Sequence, residues 1–447
     1  MSTFSTSNPH TQPLKDKTNQ IPSQNLPSNP KSKNQIPPIQ GSQHNPWSTR
    51  ILQVQNGTIL SNCLKNPRQD FTKGSNELVQ EEIRQALTNN YRKTADGTIE
   101  MINQENLQKE KKVFGFLLKE LESQIRNGKS IMNLSLPVSI YEHQSYLERQ
   151  AHGLMYAPQF LEKAGAILNS YEQFKLTIAH FVASLRLLVN PQKSFNPILG
   201  ETFQGVIGGC PVYAEQIVRN PGTLRMQMYG KRFLLEEVTE FEAVMSMNSV
   251  KSRRKGYTKV EYKNTGTKVY VQYPAGVTSG TVFGKRTFEF VDKFYVVDFE
   301  HRYYAEIDFE KKTEKGWFFR KNKVAPDAML GGIWQVKQGF LDLLEKNIND
   351  MASMKVKFNE NEHAMAKIEG VEGCWLETLK IGGEEYWRFG EIWPNKLEYF
   401  DNPLPSDSNN RLDILYLRAG DEGKSQEWKK EIEEREISEK KLREEKK

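Results

Sequence analysis

The sequence predicts an α+β protein, mainly β, in which helices precede and follow a long run of strands. Three observations predict it. From Phe203 onward the apolar residues recur every second position, in stretches separated by Asn, Gly and Pro. Before Phe203, apolar residues recur at three- and four-residue spacing. The chain ends in a highly charged segment, Gly423–Lys447, with opposite charges four apart.

Residues 1–75 are rich in Asn, Gln, Ser, Thr and Pro and poor in large apolar groups. Such a segment buries too little surface to offset its ordering entropy. The expectation is an arm that is disordered, or ordered against a partner. Residues 76–127 read as a helical extension. Ile83, Leu87 and Tyr91 recur at a spacing of four, and Asp96-Gly97 breaks the run before Ile99. A stronger helix follows at Glu105–Arg126, with Val113, Phe116, Leu117, Leu121 and Ile125 on its stripe.

Residues 144–190 give a helix pair broken near Pro158, then a helix from Tyr171 to Leu188 with Phe174, Ile178, Phe181, Val182 and Leu185 on one side. Pro191 stops it. The strand run includes Thr223–Met228, Lys231–Val238, Phe241–Met247, Thr258–Tyr262, Lys268–Tyr273, Phe283–Phe290, Phe294–Phe299 and Tyr303–Phe309. So many consecutive strands favour a meander or a barrel, because closure removes exposed edges. Aromatic and β-branched residues on both parities predict two covered faces, one lining a cavity and one packing on helices. Phe340–Leu344 reads as helix, and Trp375–Ile381 and Tyr386–Trp393 as strands. In the charged tail each four-residue charge pair is worth roughly 0.2–0.5 kcal/mol. Trp428, Ile432, Ile437 and Leu442 form a stripe too thin for an independent coiled coil, so its first half is expected on the domain.

Composition excludes several classes. No stretch of eighteen apolar residues predicts a membrane-spanning helix. Cys63, Cys210 and Cys374 are too scattered for a disulfide framework or a metal signature, so a reducing, cytosolic setting is expected. No hydrolase elbow, Walker loop, dinucleotide fingerprint or HExxH motif occurs, and no enzyme or cofactor is expected. Basic and acidic residues are interleaved, which argues against nucleic acid. The net charge of +6 permits transient attraction to an anionic membrane surface. Lys251, Arg253, Arg254 and Lys255 form the densest basic patch and read as an exposed hairpin loop.

Two segments carry the functional signal. One is Lys193-Ser-Phe-Asn-Pro-Ile-Leu-Gly-Glu-Thr-Phe203; the other, twelve residues on, is Glu215-Gln-Ile-Val-Arg-Asn-Pro-Gly222. With Leu136-Pro-Val-Ser139, Gln144–Arg149, Leu404–Ser408, Arg411-Leu-Asp413, Lys429 and Ile432-Glu433, they resemble the lipid-binding domain of the oxysterol-binding protein family. The likeness runs from about Gly128 to about Lys441, within a domain set at 128–447.

The resemblance implies a large, nearly closed antiparallel barrel around an apolar tunnel, with an N-terminal helical lid and C-terminal helices. It implies a bound lipid, a sterol or a phospholipid, which many members exchange for phosphatidylinositol 4-phosphate between membranes. The signature residues are Pro197, Leu199, Gly200, Glu201, Glu215, Gln216 and Pro221. The resemblance places the phosphate-binding lysines at Lys193 and Lys429, with Asn196 and Glu433 beside them. The family's histidine pair is replaced by Arg219 and Asn220, and its C-terminal arginine by Ile437. Arginine still suits phosphate, but it is longer than imidazole, so lost or altered phosphoinositide binding is expected. Arg435 substitutes for the missing arginine only if the helix shifts register. Glu398-Tyr-Phe-Asp401 faintly resembles an endoplasmic-reticulum tethering motif but reads better as a turn before Pro403. The alternative function is a docking subunit of a larger assembly, engaged through residues 1–75.

Overall fold

The computed structural model describes residues 91–95, 97–120, 135–189, 192–219, 221–309 and 325–445. The expected arm at 1–75 and Asn220 lie outside them. Strands β1 (Tyr91–Lys93) and β2 (Ile99–Met101) form a hairpin, so Tyr91 belongs to a strand and not to the expected helix. Helix α1 (Gln104–Glu120) follows. Next come β3 (Tyr141–Ser145), α2 (Tyr146–His152), α3 (Ala157–Ala164) and α4 (Ser170–Leu188). The break between α2 and α3 falls at 153–156, and Pro158 opens α3, where its missing N–H leaves no bond unmade. The Asn169 side chain caps α4 by accepting from Tyr171 N and Glu172 N.

The strand half contains β4 (Lys193–Phe195), β5 (Thr202–Ile207), β6 (Cys210–Arg219), β7 (Gly222–Tyr229), β8 (Phe233–Met245), β9 (Ser249–Tyr262) and β10 (Lys268–Gln272). It continues with β11 (Ala275–Ser279), β12 (Thr287–Val291), β13 (Lys293–Asp298), β14 (Tyr303–Asp308) and β15 (Ala328–Val336). Helices α5 (Gln338–Lys346) and α6 (Glu360–His363) precede β16 (Ala364–Cys374), β17 (Thr378–Ile381), β18 (Glu384–Arg388) and β19 (Leu397–Tyr399). Helices α7 (Leu412–Arg418) and α8 (Glu422–Glu445) end the described chain.

Every strand except β3 and β4 joins one antiparallel sheet of 17 strands. β9 is its branch point. It pairs along its length with β8, its first half with β11, and its second half with β10. One arm runs β10-β13-β14-β15-β16-β17-β18, and the other runs β11-β12-β2-β1. On the far side β8, β7, β6 and β5 lead to β19. No ladder joins β18 to β19 among the described residues, so hydrogen bonds do not close the sheet.

Longer strands replace several short ones. Phe233–Met245 is one element, as is Ser249–Tyr262. The basic patch at 251–255 is therefore a correction: it lies in mid-strand, not in a loop. Its charges pair across the ladder, Arg253 Nε to Glu242 at 2.8 Å and Arg254 to Glu237 at 3.5 Å. Gly256 sits at φ +100 with no room for a Cβ, which would meet Val238 O at 2.0 Å. Glu398-Tyr-Phe-Asp401 is also not a simple turn. Leu397–Tyr399 pairs with β5, Tyr399 donates to Glu148 at 2.5 Å, and Phe400 stacks on Tyr213.

Helix α4 is buried on nearly every side, not on one stripe. Phe174, Ile178, Phe181, Val182 and Leu185 join the inward residues of the sheet in one apolar core. Each such side chain contributes about 1.5–3 kcal/mol by leaving water. The polar members of α4 are bonded internally: Thr177 Oγ1 donates to Gln173 O at 2.7 Å and meets Tyr262 Oη at 2.6 Å. Burial pushes the His180 imidazole down to about 3 and that of His152 well below its usual range, so both are neutral packing groups. In α8, Ile432 is buried while Ile437 and Leu442 are exposed. No helix among the described residues is long and apolar enough to cross a membrane.

Candidate functional site

Strand register builds the first half of the site. β3 and β4 pair in parallel with Tyr141 opposite Lys193, so the lysine lies beside the tyrosine ring. Its Nζ is 5.0 Å from the ring centroid and donates to Asn196 Oδ1 and, at 3.3 Å, to Ser194 O. Helix α8 supplies the second half. Val138 N donates to Gln426 Oε1 at 2.9 Å, which seats α8 against the segment before β3. Lys429 then reaches the same ring, 5.6 Å from its centroid. Its Nζ donates to Glu433 Oε1 at 2.6 Å and to Ser135 Oγ at 2.8 Å, and Ser135 donates to Glu433 Oε2 at 2.7 Å.

Two ammonium groups thus share one aromatic ring. Burial pushes the Lys193 ammonium down to about 7, and the charge of Lys429 adds to the effect. An anion placed between the lysines would relieve the cost of Lys193, because among the described residues Glu433 is the one carboxylate bonded directly to either lysine, and it is bonded to Lys429. Between pH 7 and 10.5 the unfolded chain holds a proton on Lys193 that the folded chain lacks. Stability contributed through this group therefore rises with pH across that window, and below pH 7 the full cost of the folded ammonium is present. We expect Lys193→Gln to flatten that rise. Urea melts at pH 7 and pH 9.5 check it, and an unchanged slope would refute the assignment.

The Asn196–Glu201 turn serves structure. Glu201 is buried and accepts from Ser145 Oγ, from Ile198 N at 3.0 Å and from Arg411 at 2.8 Å. Arg411 also donates to Asn196 O at 2.8 Å and grips Asp413 with two further bonds. Gly200 takes φ +79, and its N–H donates to Gln216 O at 2.9 Å. Gln216 is buried and donates to Val218 O, while Glu215 is exposed opposite Arg225. Pro197 and Leu199 are half-buried in the turn, and Pro221 is exposed at the β6–β7 connection.

Arg219 does not join the two lysines. Its Nε pairs with Glu436 Oε1 at 2.9 Å, and its Nη1 donates to the Glu436 carbonyl at 3.4 Å. Burial pushes the Glu436 carboxyl up, and Arg219 counters it. Ile437 is half-exposed, and Arg435 pairs with Glu439 along its own unbroken helix at 3.5 Å. Tyr141, Ser135 and Arg411 are the parts that residue types alone did not assign to the site.

Beside the lysines lies a cavity of about 260 Å³. Phe114, Leu136, Ile140, Phe288 and Phe290 form its apolar wall. Lys193, Arg149, Arg254 and Arg286 also line it, so the wall is mixed and not the purely apolar tunnel expected. Each arginine has a carboxylate: Glu142 for Arg149, Glu237 for Arg254, Glu110 for Arg286. Among the described residues no group of three His, Cys, Asp or Glu could hold a metal ion.

A sequence model described as Oxysterol-binding protein matches residues 120–447. The chain belongs to that family. Among curated relatives, oxysterol-binding protein 9 of Dictyostelium discoideum is 28% identical over 392 residues, covering 86% of each chain. Oxysterol-binding protein 11 of the same organism is 26% identical over 300 residues, 65% of this chain and 50% of that one. The Osh3 ORD from Saccharomyces cerevisiae, solved in complex with PI(4)P, superposes with a TM-score of 0.54 at 22% identity, covering 73% of this chain and 84% of that one. The Osh1 ORD domain, solved in complex with cholesterol, gives 0.56 at 17% identity, covering 85% and 89%. At these identities the structural likeness shows the fold. The family's sheet is thus present here with its edges unjoined between β18 and β19.

Proposed function

We propose that this family member binds one lipid, a sterol or a phospholipid, in the cavity between α1, α2 and the β9–β12 wall, and transfers it between membranes. The observation that carries the reading is the adjacency of a cavity with one apolar wall to the Lys193–Tyr141–Lys429 cluster. A lipid tail leaves water at about 0.8 kcal/mol per buried CH₂, and the paired lysines suit one anionic group at the mouth. The Osh1 domain holding cholesterol and the Osh3 domain holding PI(4)P support both cargo classes. The cavity's 260 Å³ falls just under the usual range for small-ligand sites, about 300–1,000 Å³, so a whole lipid requires the covering helix α1 to yield. Transfer needs no covalent step.

Phosphoinositide recognition is altered in this reading. Arg219 is spent on Glu436 and Ile437 offers no donor, so the lysines would face a phosphate without the flanking groups of histidine-bearing relatives. A docking role for the barrel is the second reading, and α4 filling the core favours it. Mass spectrometry of lipids co-purifying with the native protein decides between them. We expect a stoichiometric sterol or phospholipid, and weak extraction of phosphatidylinositol 4-phosphate from liposomes. Repeated absence of any lipid would favour docking, and tight headgroup-specific extraction would refute the altered site.

A further inference from the structure

Three large apolar side chains project from the elements that wall the cavity. Phe116 on α1 is 63% exposed, Met247 in the β8–β9 turn 69%, and Phe283 in the 280–286 loop 63%. Their placement is fixed by bonds between the three elements. Asn248 Oδ1 accepts from Val282 N and Phe283 N at 2.9 and 3.0 Å, and its Nδ2 donates to Phe283 O at 3.1 Å. Lys111 Nζ donates to Gly284 O at 2.5 Å. A Cβ at Gly115 would lie 3.9 Å from Val282, an ordinary contact distance, so α1 runs close along the loop. Large apolar side chains gathered on one rim, in contrast to ones scattered singly, mark an interaction site.

The charge around the rim says what that is. Lys112 lies one turn from Phe116 on the same exposed face, with Lys119 beyond it. Lys285 adjoins the Phe283 loop and is exposed. Of the described acids nearby, Glu110 turns inward to Arg286, and Glu100 is held chiefly by Arg92 at 2.8 Å, with Lys285 farther off at 3.4 Å. We propose that this rim docks the protein on an anionic bilayer, with the three apolar tips in the headgroup region and the lysines against lipid phosphates. The inference rests on the lipid-carriage reading, and it names the face through which cargo enters. Thr281 and Phe114, neighbours of the rim residues, line the cavity itself. A docked rim would dehydrate the path between bilayer and cavity.

Flotation with phosphatidylcholine vesicles, with and without phosphatidylserine, tests the proposal on the full chain. Wild type should float with the anionic vesicles. The triple variant Phe116→Ser/Met247→Ser/Phe283→Ser should lose at least about tenfold in the bound fraction. Lys112→Glu/Lys285→Glu should remove the preference for phosphatidylserine. A control at exposed apolar residues remote from the cavity, Leu330→Ser/Met365→Ser/Ile368→Ser, should float like wild type. Failure of wild type to float, normal flotation of the triple variant, or equal loss in the control would each overturn the docking face. Co-purified lipid is measured on the same proteins. Normal lipid content in the triple variant separates docking from carriage, and rim-dependent flotation of a protein that never holds lipid would sink carriage and leave the rim standing.

Discussion

Arg411→Ala should destabilise the protein by about 3–5 kcal/mol, the usual cost of stripping one partner from a buried ion pair. The guanidinium bridges two carboxylates that have almost no access to water: Glu201 is 2% exposed and Asp413 is 0%. Burial opposes its charge, yet Asp413 and Glu201 hold it well above the usual arginine range. Its Cζ also lies 5.6 Å from the Phe195 ring centroid. Removing it leaves both acids uncompensated and frees the Asn196 carbonyl, so the turn that presents Lys193 would loosen with the fold. Since natural domains are stable by only about 5–15 kcal/mol, much of the margin would go. Urea melts should show a lower midpoint at an unchanged slope. Arg411→Lys should recover part of the loss, because one ammonium cannot span both carboxylates. A shift below about 1 kcal/mol in Arg411→Ala would show that the cluster is not what holds the turn.

That result would also explain why the Asn196–Glu201 motif is so recognisable. Its glutamate and glycine make the turn, and the turn sets Lys193, which bonds Asn196 beside the Tyr141 ring. Resemblance named both lysines as candidates, but the ring they share was not legible, because Tyr141 reaches Lys429 across nearly three hundred residues. Strands were legible through their period of two. Their lengths were not: the charges of 251–255 resemble a solvated loop until the ladder places Glu242 opposite Arg253 and brings Glu237 within reach of Arg254. Helix α4 was misjudged for the converse reason. The sequence placed its apolar residues on one side, but on its other positions Gln173 and Thr177 find partners inside the barrel and His180 is packed there neutral. Arg219 shows the limit of residue type alone: a good phosphate donor is held by a carboxylate from α8.

The second large effect concerns helix α1. Arg286, almost fully buried, donates to Glu110 on the helix and, at 3.3 and 3.4 Å, to Gly280 O and Thr281 O on the loop. Burial pushes the Glu110 carboxyl up to about 7, with Arg286 pulling against it. Its ordinary value is 4.5, so the folded chain holds the extra proton between pH 4.5 and 7, and stability from this group falls as pH rises through that window. Arg286→Ala removes the counter-charge and should push the carboxyl higher still. At pH 6 the variant can keep Glu110 protonated and α1 seated. At pH 8 it must either hold that proton, at up to about 2.7 kcal/mol more than at pH 6, or release the helix. Release is the cheaper course, because α1 belongs to no ladder and opens without unfolding the sheet. Hydrogen exchange over residues 104–120 should therefore be near wild type at pH 6 and lose up to about a hundredfold in protection at pH 8, the equivalent of about 2.7 kcal/mol. Adding Glu110→Gln should restore protection at pH 8, since a neutral amide needs no guanidinium. Equal protection in Arg286→Ala at both pH values would mean that apolar packing of Leu107 and Leu117 alone holds the helix over the cavity.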